Sequence, residues 1–539
     1  MIRVSGLSLP LGADGNDLRS ACAKKLGVRE EEFLSFELLR SGYDARDKGD
    51  VRLTVSCLVA LDCDERAFCE RFPENEVAYS RRYEYAPPEL KRTSAERPVV
   101  VGFGPAGFFC ALMLARAGLK PLVLERGGSV DERKNSVERF VSGRVLDEES
   151  NIQFGEGGAG TFSDGKLTTG IKDPRCRFVL EELAAHGAPS DILTNAHPHI
   201  GTDRLPDTVR GIRDEIISLG GEVKFNCRFT DLVTASGGIY AVEYVENSVP
   251  GAPVRYFQTD TVVLACGHSA RDTVRSLYEA GVRAERKAFS VGLRIEHLQS
   301  MINRAQYGAR FADSPLLPPA EYKLANHPPH GRGAYTFCMC PGGTVVAAAS
   351  EAGGVVTNGM SRFARDGENA NAAILVGFEP DRFDTPDVFA GVELQRELES
   401  KAFALGGNSY AAPATTVGDF LKRRASKRFG AVRPTYTAGV CPSDVRQCLP
   451  ASVCDEIETA ILRWDRVLSG FASPDAVLTA PESRSTSPVR LVRDPFGRSN
   501  ISGLYPCGEG AGYAGGIVSA AVDGIKTAES IISAADWDD

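Results

Sequence analysis

The stretch Arg97–Arg126, RPVVVGFGPAGFFCALMLARAGLKPLVLER, constrains what this chain can fold into more than any other. Pro98–Val101 is a short, unbroken apolar run, as a strand buried on both faces requires. Gly102, Gly104 and Gly107 follow it in GxGxxG spacing. The first suits a tight turn, the second a close approach of backbone to a ligand, and the third close packing of helix on strand. Pro105 and Ala106 open a run of helix formers that lasts to Gly118, a C-terminal stop signal. A second apolar strand, Leu122–Leu124, ends in Glu125. Strand, glycine turn, helix and strand closing on an acidic residue form a dinucleotide-binding unit. The free amides of the first helical turn attract phosphate, and the carboxylate accepts hydrogen bonds from ribose hydroxyls while repelling a 2′-phosphate.

At 539 residues the chain is too long for one hydrophobic core, so several domains are expected. Residues 1–90 read as strand, helix, two strands, helix, strand, with Asn16 or Asp17 as the first cap. Val51, Leu53, Val55, Cys57, Val59 and Leu61 alternate as in a half-buried strand. A small α+β unit of ferredoxin-like type is expected there. The Pro-containing, charged segment 86–97 has linker composition. Residues 91–285 carry the nucleotide unit and include two further strands, Glu222–Leu232 and Thr261–Gly267. Residues 286–477 read as an inserted α+β substrate or cap domain, and 478–539 return to the first sheet. The expected fold class is α/β: a Rossmann-type domain built from discontinuous segments, carrying the insertion and the small leading unit.

A net charge of −9 argues against broad attraction to nucleic acid or to an anionic membrane. The amino terminus lacks a basic segment followed by an apolar run, no stretch of about 18 apolar residues occurs, and the 14 cysteines are scattered. A cytoplasmic protein acting on a small molecule is expected, without a metal.

Three ordered motifs, the fingerprint at Gly102–Glu125, ACG at Ala265–Gly267, and GEGAGYAGGI at Gly508–Ile517, resemble the FAD motifs of glutathione-reductase-type flavoproteins. Within that superfamily the chain most resembles the bacterial FAD-dependent dehydrogenase family described as NAD(FAD)-utilising, through NIQFGEGGAGTFSDGKLTT, YTFCMCPGG, SEAGGVVTNGMS and ARDGENAN. The resemblance implies that Gly102, Gly104, Pro105, Ala106 and Gly107 hold the FAD pyrophosphate and that Glu125, with Arg126 beside it, meets the adenosine ribose. Backbone at Phe229 would face the adenine. Gly157, Gly158, Gly160, Thr161 and Ser163 would run along the flavin, with Ala265 and Gly267 contributing the middle motif. Gly508 and Glu509 would meet the ribityl and pyrophosphate region, and Gly515, Gly516 and Ile517 would open a helix aimed at the ring. FAD rather than NAD is implied, because its ribityl hydroxyls suit Glu509. Cys266 departs from the Ser or Thr common at its position, and Glu509 from the more frequent Asp.

No second nucleotide unit is expected between 127 and 500, so NAD(P)H or a protein electron donor would enter by the substrate face. Nor does a CxxxxC pair accompany the first helix, where Cys110 stands alone. No catalytic side chain can be picked from the sequence. Cys338 and Cys340 share a face of a regular strand, as a redox pair or flavin-facing thiols or, more simply, as buried or edge-strand cysteines. His327 and His330 lie in a Pro-containing turn. Lys422, Arg423, Arg424, Lys427 and Arg428 are expected toward a helix end near Gly430, where they compensate its dipole or bind an anion. Glu482, Arg484 and Arg490 are candidates for the active cavity. An oxidoreductase is the leading expectation, with an RNA-modifying flavoprotein and a flavin-binding sensor without turnover as alternatives.

Overall fold

The structure, a computed structural model, describes residues 1–81, 84–92, 94–327 and 332–534; His330 lies outside the described residues. The leading unit runs Ile2–Pro10 (strand), Gly15–Leu26 (helix), Phe33–Asp44 and Arg52–Leu61 (strands), Glu65–Cys69 (helix) and Val77–Tyr79 (strand). Its antiparallel sheet has the strand order second, third, first, fourth. Val55, Cys57, Val59 and Leu61 bury one face of the third strand against Leu18, Cys22 and Leu26 of the first helix. The cap of that helix is Asp14, not Asn16 or Asp17. Its carboxylate accepts the amides of Asn16 and Asp17 at 2.8 and 3.0 Å, and Asp17 accepts the amide of Asp14 in return. Asp14 has the extended backbone from which a short carboxylate reaches the second and third helical amides.

Segment 86–97 is no free tether, despite its composition. Arg92, its side chain 7% exposed, donates to Asp260 and Thr261, and the amides of Lys91 and Arg92 bond to the Ile532 carbonyl. The leading unit is also docked through backbone: the Ser41 amide donates to Thr194, and the Ala196 amide to Ser41, both at 2.7 Å.

A five-stranded parallel sheet gathers four distant parts of the chain in the order Leu504–Pro506, Val262–Leu264, Val99–Val101, Leu122–Leu124, Glu222–Lys224. Val100, Val123, Val263 and Tyr505 face one core, with the helices Pro105–Arg116 and Ile517–Ser533. Val99, Val101, Leu122, Leu124, Val262 and Leu264 face the other, with Phe229, Val242, Val274 and Leu277. Burial on both faces is why these strands read as unbroken apolar runs. The single strand expected over Glu222–Leu232 is two. Asn226 adopts a left-handed φ of 54°, and the chain leaves the parallel sheet to begin Cys227–Ala235 in a separate three-stranded antiparallel sheet.

The insertion is built on a seven-stranded sheet, ordered Ala325–Asn326, Ala334–Cys340, Asn369–Phe378, Phe289–Leu298, Val477–Glu482, Ala412–Thr416, Val440–Pro442. Its fifth strand in that order reaches Glu482, so the inserted sheet extends past the boundary expected at 477. The basic stretch is not helical. Thr416 caps a helix that spans only Val417–Leu421, because Asp419 collects Arg424 at 2.6 Å and Ser426 at 2.7 Å and folds the chain back. Arg423 pairs with Asp455 and Glu458, so no continuous cationic helix face forms. The insertion is locked to the nucleotide unit by a buried Arg–Glu–Arg cluster. Arg271 and Arg484 each make two bonds of 2.8–3.0 Å to the carboxylate of Glu399, which is 2% exposed.

Candidate functional site

Between the carboxyl ends of the parallel strands and the inserted sheet lies a cavity of about 830 Å³, within the size range of cofactor sites. Of the residues expected at the cofactor, Gly102, Gly104, Pro105, Ala106, Glu125, Arg126, Gly158, Gly160, Ser163, Phe229, Ala265, Gly267, Glu509, Gly515, Gly516 and Ile517 line it. Gly107, Gly157, Thr161 and Gly508 do not. They act from behind. A Cβ on Gly107 would sit 2.0 Å from the Gly102 carbonyl, so this glycine is a packing contact between helix and turn. The Gly157 amide donates to the Phe103 carbonyl and the Thr161 hydroxyl to Glu156, holding the glycine loop against the fingerprint. The Gly508 amide donates to Asp523, which is paired with Arg493.

Gly155, Gly157 and Gly160 also stand in GxGxxG spacing, in the interval where no second such pattern was expected. They form no second nucleotide unit: no strand precedes them and only the 3₁₀ turn Gly158–Phe162 follows. Their loop closes on the first fingerprint.

Glu125 does more than face the cavity. It is 4% exposed, and its carboxylate accepts the amides of Phe103 (2.8 Å), Gly155 (2.9 Å) and Gly127 (3.0 Å). One side chain thus fastens the fingerprint turn, the end of its own strand and the glycine loop together. With about four lone-pair sites on a carboxylate, capacity for a ribose hydroxyl remains. Arg126 is committed elsewhere, to Glu149 and Asp272, and lies over the Phe154 ring at 4.2 Å.

Two helices point uncapped amino termini at this cavity. Pro105–Arg116 starts after Gly104, and Ile517–Ser533 after Gly516; neither cap makes a side-chain bond, and both glycines line the cavity. Gly516 has a φ of 102°, which L side chains rarely adopt, and a Cβ on Gly267, Gly515 or Gly516 would enter open space. These bare stretches of backbone form a cradle for a ligand bearing phosphates and a flat ring. Beside it, the Nε2 of His268 is buried without a partner while its Nδ1 lies 3.4 Å from Glu509. The groups present fit FAD: donors for the pyrophosphate, carboxylates for hydroxyls and a side-chain-free floor.

The opposite wall comes from the insertion and includes Tyr322, Lys323, Thr336, Phe337, Cys338, Asn358, Glu482 and Arg484, with Lys166 from the glycine-loop segment. Glu482 and Arg484 stand where they were expected. Arg490 does not line the cavity; it pairs with Glu285 on the short ribbon Ala284–Arg286. Arg294, fully buried, forks onto Glu482 at 2.9 and 3.0 Å and onto Asn371 at 2.7 Å, and donates to the Cys338 carbonyl at 3.1 Å. Asp164 pairs with Arg365, which also holds Glu321; Lys166 lies 3.8 and 3.7 Å from those two carboxylates. Cys338 and Cys340 do not sit on a regular strand. The ladder shifts register between Phe337 and Cys340, and Cys338 takes a φ of 41°, so Cys338 reaches the cavity while Cys340 is fully buried. The neighbouring Cys340 thiol pulls the Cys338 thiol below its usual range, burial opposes this, and the Arg294 charge assists. Burial pushes Cys266 up to about 12. Sequence reasoning missed Lys166, His268 and the Arg294–Glu482 pair, although His268 directly follows the ACG motif.

Residues 288–485 match a family model described as FAD-dependent protein, C-terminal domain-like, and residues 1–60 match a domain of unknown function. An uncharacterised protein of Clostridium beijerinckii is 46% identical over 537 residues, covering 98% of each chain. The chain belongs to that protein's family. The cofactor is FAD. Among solved structures, the chain is similar to a flavin-dependent brominase at 12% identity, with 82% of this chain and 81% of that one covered and a TM-score of 0.38. It is also similar to a geranylgeranyl bacteriochlorophyll reductase-like protein of Thermoplasma acidophilum at 13% identity, with 81% and 77% covered and a TM-score of 0.35. Among the described residues no helix is long and apolar enough to cross a membrane, and no group of His, Cys, Asp and Glu is arranged to hold a metal ion.

Proposed function

We propose that the protein is an FAD-dependent oxidoreductase of the glutathione-reductase type, a dehydrogenase or reductase that moves a hydride or an electron pair between a small-molecule substrate and a second partner. The observation that carries this reading is the meeting of two uncapped helix termini and a polar wall from the insertion on one cavity. FAD supplies the two-electron chemistry. The chain's own residues bind and orient. The turn at Gly104 and the helix Pro105–Arg116 would offer amides to phosphate, Glu125 and Glu509 would accept hydrogen bonds from hydroxyls, and His268 offers a buried ring nitrogen beside them. The terminus at Gly516 and Ile517 places partial positive charge where an electron-rich ring would be stabilised. Lys166, Asn358 and Glu482 present polar groups from the facing wall, the side from which the substrate and a nicotinamide or protein donor would enter. The leading unit is read as ferredoxin-like, and the 14 free cysteines suit a reducing cytoplasm.

The test is purification without added flavin, heat release of the bound chromophore and its identification, followed by anaerobic reduction with candidate donors. Intact FAD and reduction over many turnovers by one class of small molecule are expected. A colourless protein that FAD cannot reconstitute refutes the cofactor site; bound FAD that no donor reduces at multiple turnover refutes the enzyme.

A further inference from the structure

The Cys338–Cys340 stretch lies on the inserted wall and has no part in the function proposed above. Its two sulfurs are arranged in depth. Cys338 lines the cavity, and Cys340, 0% exposed, lies behind it with its thiol donating to the Cys338 carbonyl at 3.3 Å. The two cysteines stand two residues apart on the same irregular segment, and each shifts the other's proton affinity. The register shift and the left-handed backbone at Cys338 depart from the regular ladder at this one point of the strand Ala334–Cys340. Such departures concentrate where a side chain is re-aimed toward a ligand. Arg294 approaches the same residue with a guanidinium nitrogen 3.1 Å from its carbonyl, and Lys166 lines the cavity nearby. Both cations favour a thiolate at Cys338, while Asp164 opposes one; the neighbouring Cys338 first, and burial second, keep the Cys340 sulfur protonated.

We propose that Cys338 and Cys340 are a redox-active dithiol that exchanges two electrons with the FAD held in this cavity, an inference resting on the cofactor site proposed above. In the oxidising direction two S–H bonds break and one S–S bond forms between the two sulfurs. The electron pair reduces FAD to its dihydro form, and the two thiol protons balance the two that the reduced flavin takes up. No outside oxidant enters this step. The substrate class this implies is a thiol or disulfide compound, with Cys338 the sulfur that the cavity exposes to it.

The experiment counts electrons. Holoprotein oxidised with ferricyanide and desalted is titrated anaerobically with dithionite, and the oxidised sample is alkylated, digested and weighed. Four electrons per FAD are expected for the parent, with the peptide carrying Cys338 and Cys340 unalkylated and internally disulfide-bonded; two electrons per FAD are expected for Cys338→Ser and for Cys340→Ser. Two electrons in the parent, with both cysteines alkylated after oxidation, overturns the proposal while leaving the FAD site standing. Absence of FAD from the parent overturns the cofactor site itself. If a serine variant does not fold, the parent's count and its peptide mass still decide.

Discussion

Replacing Glu125 with alanine tests whether this carboxylate is a structural clasp or only a contact for ribose. The substitution removes the acceptor for three amides, those of Phe103, Gly127 and Gly155, at a site 4% exposed. A buried donor left without a partner costs about 1–3 kcal/mol. Taking the lower figure for each, since water can enter the vacated space, gives a loss of about 3 kcal/mol before any FAD is bound. For a unit of roughly 150–250 residues this lowers the melting temperature by about 6–12 °C. The assay is calorimetry or circular dichroism on protein stripped of flavin, so that loss of ligand stabilisation does not contribute. Glu125→Gln keeps an oxygen for the Gly127 and Gly155 amides and turns an NH₂ group toward the Phe103 amide, so an intermediate drop is expected. An apo Glu125→Ala protein melting within about 2 °C of its parent, yet unable to bind FAD, refutes the clasp and leaves only the ribose role.

Gly516→Val places a β-branched side chain at a φ of 102° with its Cβ entering open cavity space, so FAD affinity should fall at least about tenfold, read from flavin fluorescence quenching. An unchanged affinity would show that this helix end does not approach the cofactor. Glu399→Gln should cost about 3–5 kcal/mol, because Arg271 and Arg484 are left buried around a neutral partner; denaturant unfolding measures it, and a loss under about 1 kcal/mol contradicts the locking role. Burial lowers His297 to about 4 from an ordinary value near 6.5, with Nε2 bonded to the Phe471 carbonyl. A base held neutral in the fold stabilises it above about pH 6.5, and that contribution, about 3 kcal/mol, is lost as pH falls from about 6.5 through about 4 while the unfolded chain takes up the proton. Stability measured across that window should fall, and His297→Gln should flatten the slope; a parent curve flat over the window is the contrary result.

What was legible in the sequence was whatever a backbone requirement writes into residue type. Gly102 and Gly107 announce the turn because no side chain fits there, Gly104 leaves bare backbone on the cavity between them, and the apolar runs Val99–Val101, Leu122–Leu124 and Val262–Leu264 announce strands with both faces buried. The return of the chain to the same sheet at Leu504–Pro506 was legible for the same reason. The facing wall was legible only at Glu482 and Arg484, since Cys338 and Glu482 are brought to one wall by the strand order of the inserted sheet and Lys166 reaches it from the glycine-loop segment, which no local spacing encodes. The basic stretch after Thr416 was misread because its capping signal is real while its continuation is not: Asp419 binds Arg424 and Ser426 instead of facing solvent, and that competition for one carboxylate is tertiary. Glu125 shows the same division within one residue. Its place at the strand end predicts a ribose partner, yet two of its three amides, those of Phe103 and Gly155, belong to loops that meet it only once the sheet and the glycine loop are assembled. The cofactor cradle is therefore held in shape by the same carboxylate that is expected to recognise the ligand, which couples the order of the empty site to its chemistry.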